Sequence, residues 1–574
     1  MSDTRPTGLF PPDTIRRFRE MGAWTDETID QVFRDQVAAR GDALALVDPA
    51  NNRNLVGTEP RRLSWNEVDA EVDFLAARLL DLEVKPGDVI GVQMPNGVEL
   101  VTLYLAAWRI GAVISPLAMQ YREYEVVGMG STAQFSILVT VPEFAGRRPA
   151  EAIAAVREHI PTLRRIVTLT SAPTDQPAEG VTHLVSAPAS DADRAAVAAH
   201  GHVADPNECL TICWTSGTES APKGVPRAHY DWLSFAWAGV DAPRLTADDV
   251  LLNPFPMINM AAFVGKLLPW LRTGAVLVQH HPFDAATFFG QIATERVTYT
   301  VAPPALLLQL LRNTDLRSRI DLSSLTRVGA GSAPLQPVTV SGWQNEMNIA
   351  IINFFGSNEG IGLLSSPEDF PDPSDRAKYF PRYGAPGITW ASRVADWITL
   401  KLVDPDTGEE ITEPGRSGEL HIDGPMVFAG YVNGSAVSSP FDDEGFLRSG
   451  EMFQIAGDRN QFLRYVDRAK DLIVRGGMNI APAELEALIS SHPSVAEVAV
   501  IGRPSEVMGE RVHVVAALNP GTELTLDELI TYLRGLQIAS FKLPESLELL
   551  DVLPRNPVGK LLKRDLRSAL AASD

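Results

Sequence analysis

The chain has 574 residues, 45% of them hydrophobic, with 50 Lys and Arg against 72 Asp and Glu, a net charge of -22. That length exceeds what one hydrophobic core supports, so two or more domains are expected. The negative excess repels phosphate backbones and anionic lipid surfaces, which disfavours nucleic-acid and membrane-surface roles, and no run approaches the roughly 18–20 apolar residues of a membrane span.

The first residues, Met1-Ser2-Asp3-Thr4-Arg5-Pro6, show no apolar leader core, and a soluble cytoplasmic protein is the expectation. Ser64 with Glu67 has the pattern of a capping box, and Trp65, Val68, Val72, Leu75 and Leu79 follow at three-and-four spacing, which predicts a helix with one face on a core. The turn Lys85-Pro86-Gly87-Asp88 hands over to an apolar strand, Val89-Ile90-Gly91-Val92. Such helix-turn-strand units recur to about residue 400, the pattern of an α/β body of layered sheets and helices. The Pro- and Ala-rich tract 170–200 reads as an exposed connection. The two cysteines, Cys209 and Cys213, lie four apart in an apolar run and read as small buried thiols in a reducing compartment rather than a metal pair.

Directly after them stands Thr215-Ser216-Gly217-Thr218-Glu219-Ser220-Ala221-Pro222-Lys223-Gly224, with four hydroxyls and two glycines. Hydroxyl and backbone N–H groups can converge there on phosphate oxygens without a bulky side chain between them. A Walker A loop needs Gly before its Lys and Ser or Thr after it, and here Pro222 and Gly224 take those places, which excludes a P-loop NTPase. Alone, such a loop is more often an ordinary surface turn, since those residues dominate turns for local backbone reasons. Further on, Met257, Met260, Ala261, Ala262 and Phe263 read as plain helix core or as the apolar wall of a pocket, together with Gly329 and Ala330.

Near residue 470 the character changes. Asp467-Arg468-Ala469-Lys470-Asp471 concentrates charge, and beyond it a helix over Pro482 to Ser490, strands over Val495 to Ile501 and Val512 to Leu518, and a helix over Leu526 to Leu533 fit a small α+β domain. The expected division is 1–469 and 470–574.

Seven further segments accompany the hydroxyl-rich loop in order: Gly331-Ser332-Ala333-Pro334; Phe354-Phe355-Gly356-Ser357-Asn358-Glu359-Gly360; Ser417-Gly418-Glu419-Leu420; Gly445-Phe446-Leu447-Arg448-Ser449-Gly450-Glu451; the charged run at 467–471; Gly476-Gly477-Met478-Asn479-Ile480-Ala481-Pro482-Ala483-Glu484; and Pro554-Arg555-Asn556-Pro557-Val558-Gly559-Lys560. The series resembles the adenylate-forming superfamily of acyl-CoA synthetases, nonribosomal adenylation domains and firefly luciferase, most of all an acyl-CoA synthetase, over essentially the whole chain. The resemblance implies a multi-subdomain N-terminal body with a small mobile C-terminal domain. It also implies two steps: a carboxylate attacks the α-phosphate of ATP to give an acyl-AMP, and a thiol takes the acyl group.

By the same resemblance, Thr215, Ser216, Gly217, Thr218 and Lys223 hold the triphosphate. Glu359 and Thr218 hold Mg²⁺, and Asn358 stands beside them where the family has Thr. Gly331, Ser332, Ala333, Pro334, Phe355 and Gly356 surround adenine, Phe355 by stacking. Glu451 and Arg468 hold ribose or phosphate. Lys560 matches the catalytic lysine, bridging the acyl carboxylate and the α-phosphate as charge develops. Lys470 matches the hinge, about which the small domain would withdraw Lys560 and bring in Gly476 and Gly477 to line a pantetheine channel. In so acidic a chain Lys223, Arg468, Lys470, Arg475 and Lys560 must form positive islands for ATP and CoA. Met257 falls where many relatives carry His, and Met257, Met260, Ala261, Phe263, Gly329 and Ala330 are the expected acyl contacts, for a medium-chain, alicyclic or aryl acid.

Three positions depart from the family pattern: Glu451 replaces Asp, Asn358 replaces Thr, and Glu219-Ser220 replaces a hydroxyl residue and Gly. Because the chain stops at Asp574, soon after Lys560, CoA is the expected acceptor. A separate carrier protein stays open, as in aryl-acid-activating relatives, whose sequence is similar to Pro226-Arg227-Ala228-His229. A silent nucleotide-binding relative and a homodimer also stay open. A dinucleotide fingerprint at Gly329-Ala330-Gly331 fails because Pro334 takes its third glycine position. Neither a G-x-S-x-G elbow nor an H-E-x-x-H motif occurs, and His280-His281 reads as a surface pair.

Overall fold

The computed structural model describes residues 8–173, 179–215, 222–331, 335–432, 439–475, 478–505, 507–536, 538–555 and 561–571. Two mainly parallel sheets form the body. One has eight strands, in the spatial order Gly362–Ser365, Ala350–Gly356, Arg327–Gly331, Tyr299–Val301, Val250–Asn253, Val276–Gln279, Leu44–Val47 and Arg62–Ser64. The other has seven, from Thr182–Val185 at one edge to Cys209–Thr215 and Lys223–Ala228 at the opposite edge. Parallel sheets bury both faces, and the helices between them read accordingly. All twelve residues of the helix Val98–Arg109 are buried; the segment is mostly apolar, with Glu99 and Arg109 as its charged members.

At its end Arg109, with its side chain 1% exposed, meets Asp30 at 2.9 Å, Asp69 at 2.8 Å and Asp73 at 2.6 Å, so its desolvation is offset by three carboxylates. The helix Trp65–Asp81 starts on the anticipated capping box, with the Glu67 N–H donating to Ser64 Oγ and the Ser64 N–H donating to Glu67. The five apolar positions read from the sequence are buried beneath it, and Trp65 stacks on Trp270 with centroids 4.6 Å apart.

Two elements differ from the sequence reading. The tract 170–200 is not a bare connection, since it carries the edge strand Thr182–Val185 and the helix Asp191–His200, capped by Ser190 and Asp193. Residues 379–468 contribute a six-stranded antiparallel sheet that helix-turn-strand counting did not anticipate. The C-terminal domain packs the helices Pro482–Ile489 and Leu526–Gly535 on the long pair Val495–Ser505 and Gly509–Leu518, and closes with the helix Lys563–Ala571. Among the described residues no helix is long and apolar enough to cross a membrane. Cys213 is buried and Cys209 half-buried, and burial pushes both thiols up to about 12, as inert structural cysteines require.

The pair His280-His281, read as surface, is buried, at 0% and 3% exposure. Burial, with the neighbouring His280, lowers the His281 imidazole from 6.5 to about 4. The fold therefore holds this ring neutral, and its contribution is complete above pH 6.5 and is lost as pH falls towards 4. The unfolding free energy of wild type minus that of His281→Asn should drop by about 3 kcal/mol between pH 7 and pH 4, measured by urea titration.

Candidate functional site

Ligands of open α/β sheets sit beyond the carboxyl ends of the strands, and the singled-out segments lie there: Thr215, Gly331 and Gly356 each end a strand, and Asn253 ends the strand before the methionine-rich segment. One side chain ties several of these ends together. Asn358 Nδ2 donates to the Trp214 carbonyl at 3.2 Å, and Asn358 Oδ1 accepts from the Met260 N–H at 2.9 Å. The amide thus fastens the glutamate loop to the strand entering the hydroxyl-rich loop and to the helix Met260–Ala262. Gly360 closes the turn at φ +109°, where an added Cβ would lie 2.0 Å from the Met426 carbonyl oxygen, so only glycine permits this approach.

Glu359 follows directly. Its Oε1 accepts from the Tyr431 hydroxyl at 2.9 Å, and its own carbonyl accepts from the Phe428 N–H at 3.0 Å. Burial, then the adjacent Glu359 charge, pushes the Tyr431 phenol well above its ordinary value, so it stays a donor at any working pH. Lys223 Nζ sits 5.1 Å from the centroid of the same ring, which brings the loop's lysine to the glutamate's side of the cleft. Among the described residues no hydrogen bond reaches Glu359 Oε2. They also contain no group of three or more His, Cys, Asp or Glu placed to hold a metal ion. A hard cation here would rest on one carboxylate oxygen and on oxygens brought by a bound phosphate, the donor set that suits Mg²⁺.

Phe355, half-buried, is held by Phe453 at 5.0 Å, Tyr465 at 5.4 Å and Phe380 at 5.8 Å, so its ring orientation is fixed by packing. The phenol of Tyr465 donates to Glu451 Oε2 at 3.0 Å, and Arg468 Nε lies 3.2 Å from Glu451 Oε1. Glu451 and Arg468 are paired across the antiparallel strands Leu447–Ala456 and Phe462–Arg468, which is why residues 17 apart in sequence meet. The extra methylene of Glu451 is absorbed by these two contacts.

In the methionine-rich segment, Met257 and Phe263 are 0% exposed, Phe263 lying against Tyr104, Trp108 and Trp232. Tyr104 donates to the Met257 carbonyl at 2.9 Å. Met260 is half-buried and Ala261 exposed. Met260 covers Gly356 so closely that a Cβ there would fall 2.4 Å from Met260 Cε. Phe354 lies over Gly329 in the same way, at 2.4 Å, and Ala330 is buried.

Arg227, quoted in the sequence only within a tetrapeptide, is 0% exposed. Its Nη1 donates to the Asn358 carbonyl at 2.7 Å and its Nη2 to the Met426 carbonyl at 2.8 Å, while Nε lies 2.7 Å from Asp231 Oδ2. Burial raises Asp231 to about 6, held from going higher by Arg227 and by the Ala228 and Trp232 N–H groups. Tyr431 and Tyr465 also escaped the sequence reading. An available signal was a charge at i and its opposite at i+4 inside the apolar run Val225 to Trp232.

Of the expected site residues, Ser216, Gly217, Thr218, Ser332, Ala333, Pro334, Gly476, Gly477 and Lys560 lie outside the described residues, as do Glu219, Ser220 and the side chain of Lys470.

The description "AMP-binding enzyme" matches residues 33–432, and "AMP-binding enzyme C-terminal domain" matches 484–560. A ligase of Mycobacterium tuberculosis that joins a methyl-dioxo-octahydroindenyl propanoate to CoA is 31% identical over 89% of this chain and 94% of its own length. The medium-chain fatty-acid–CoA ligase of Escherichia coli is 27% identical over 99% of this chain and 94% of its own. The crystal structure of ATP-bound MatB from Rhodopseudomonas palustris superposes with a TM-score of 0.75, at 25% identity over 95% of this chain and 99% of that one. If Glu451 and Arg468 grip a nucleotide as one unit, Glu451→Ala and Arg468→Ala should each weaken ATP binding by about tenfold in calorimetry. The double variant should then lose little beyond either single one, well short of the product.

Proposed function

The chain belongs to the AMP-binding enzyme family, and from that premise we propose that it joins a hydrophobic carboxylic acid to CoA by way of an acyl-AMP. In the first step a carboxylate oxygen bonds to the α-phosphorus of ATP, the α–β anhydride bond breaks and pyrophosphate leaves. In the second the CoA sulfur bonds to the acyl carbonyl carbon, the thiol proton passes to solvent and AMP leaves.

The observation that carries this reading is the chain of contacts Lys223–Tyr431–Glu359 and Phe355–Tyr465–Glu451–Arg468, in which we assign Lys223 to the phosphates, Glu359 to the metal, Phe355 to adenine and Glu451 to the ribose. Attack of one anion on another is slow until cations reduce the repulsion. Lys223 and Arg468 supply two from the body, and Lys560 is assigned the third, beside the attacking carboxylate. Mg²⁺ on Glu359 would withdraw charge from the phosphate oxygens. Met260 and Ala261, with Phe354 above Gly329, support a hydrophobic acyl group, as do the acids named for the relatives in Mycobacterium tuberculosis and Escherichia coli. We assign residues 470–574 to a mobile unit turning at Lys470, so that Lys560 withdraws and the glycine pair 476–477 admits pantetheine.

ATP–pyrophosphate exchange over a panel of medium-chain, alicyclic, aryl and amino acids tests the first step. Exchange with hydrophobic acids and none with amino acids is expected, and ATP binding without exchange for any acid would point to a silent nucleotide binder. CoA thioester formation, against loading of a carrier protein, tests the acceptor. Lys560→Ala should abolish acyl-AMP formation while largely keeping thiol transfer from supplied acyl-AMP; equal loss of both half-reactions would remove the hinge assignment.

A further inference from the structure

We infer that Arg227 is a positioning residue for the Glu359 carboxylate, acting through the backbone of two loops at once. The inference rests on the reading of Glu359 as the Mg²⁺ carboxylate. The guanidinium donates to the carbonyl of Asn358, the residue before Glu359, at 2.7 Å, and to the carbonyl of Met426, two residues before Phe428, at 2.8 Å. Phe428 N–H in turn holds the Glu359 carbonyl at 3.0 Å. One planar fork therefore fixes both walls of the turn from which the carboxylate projects.

The fork itself cannot swing. The Asp231 carboxylate forms an ion pair with Nε at 2.7 Å, and Trp232 and Phe235 flank the guanidinium at 4.4 and 5.7 Å. Asp231 is fixed in turn by the Ala228 N–H at 2.7 Å and the Trp232 N–H at 2.9 Å, at the start of the helix His229–Asp241. From outside, Trp24 Nε1 donates to the Pro425 carbonyl at 3.1 Å and stacks on Tyr230 at 4.6 Å, bracing the peptide next to the one Arg227 holds. A lysine at 227 would keep the charge beside Asp231 but could not present parallel donors to two carbonyls about a guanidinium's width apart.

The test is binding of Mn²⁺ in the presence of ATP, followed by the electron paramagnetic resonance of free Mn²⁺, on wild type, Arg227→Lys, Glu359→Gln and the double variant. Each is checked for folding by thermal melting. Arg227→Lys should weaken Mn²⁺ binding by about tenfold alone and have almost no effect in the Glu359→Gln background, because a residue acting through Glu359 has nothing left to position. Unchanged metal affinity in Arg227→Lys, or an equal further loss in the double variant, would reduce Arg227 to a stabilising core residue. If Glu359→Gln alone left Mn²⁺ binding intact, the metal assignment itself would fall, a result distinct from the first. Should Arg227→Lys not fold, Trp24→Phe keeps the stacking while removing the Pro425 hydrogen bond. It should weaken Mn²⁺ binding about threefold with Glu359 present and not without it, and no change in either background would again overturn the positioning role.

Discussion

A cation with no solvent contact stands at the centre of this cleft. Removing a guanidinium from water costs several kcal/mol, and breaking such a pair by removing one partner costs about 3–5 kcal/mol, so the structure tolerates Arg227 only because the adjacent Asp231 charge and two carbonyl acceptors offset that cost. That requirement runs in both directions. The arginine needs the two loops as acceptors, and the loops, which are irregular backbone near a ligand site, need a rigid donor to hold one geometry. Order passes from a helix N-terminus to Asp231, from Asp231 to Arg227, and from Arg227 to the turns that carry Glu359 and face Tyr431.

The two site carboxylates are handled alike. Glu359 and Glu451 each accept from a half-buried tyrosine, at 2.9 and 3.0 Å, through one oxygen. A phenol donor steadies a carboxylate without neutralising it, which matters in a protein whose net charge is already -22. The second oxygen of Glu451 lies beside Arg468, and among the described residues no hydrogen bond reaches that of Glu359. The contact of Phe355 with Tyr465 joins that ring to the Glu451–Arg468 pair.

Much of this was legible in the sequence wherever a local rule decides structure. The capping box at Ser64, the strand at Val89 and the helices of the C-terminal domain follow from spacing and turn chemistry, and all three stand within two residues or so of where the pattern put them. The antiparallel sheet over 379–468 was not legible as one sheet, since its edge strands Tyr379–Pro381 and Glu410–Ile411 have only three and two residues, and Tyr379–Pro381 pairs with the distant Phe462–Arg468. His280 and His281 were misplaced for a related reason: burial depends on what packs above a residue, and a polar pair after the strand Val276–Gln279 gives no local sign that Gln291 and Phe144 will cover it. Arg227 shows the same limit at the site, because its acceptors lie 131 and 199 residues away.

The departures from the family pattern take on a physical meaning once these contacts are traced. Asn358 does not merely stand in for a hydroxyl beside a phosphate; its amide is long enough to reach both the Met260 N–H and the Trp214 carbonyl, which a threonine Oγ1 is too short to do at once. Glu451, one methylene longer than Asp, reaches both Tyr465 and Arg468. The helix Met260–Ala262, the strand Cys209–Thr215 and the turn carrying Glu359 are consequently fastened to one another by the single side chain of Asn358. A substitution at 358 would therefore be felt in the helix Met260–Ala262 through the Met260 N–H and in the strand Cys209–Thr215 through the Trp214 carbonyl, so the two elements cannot be altered independently at this position.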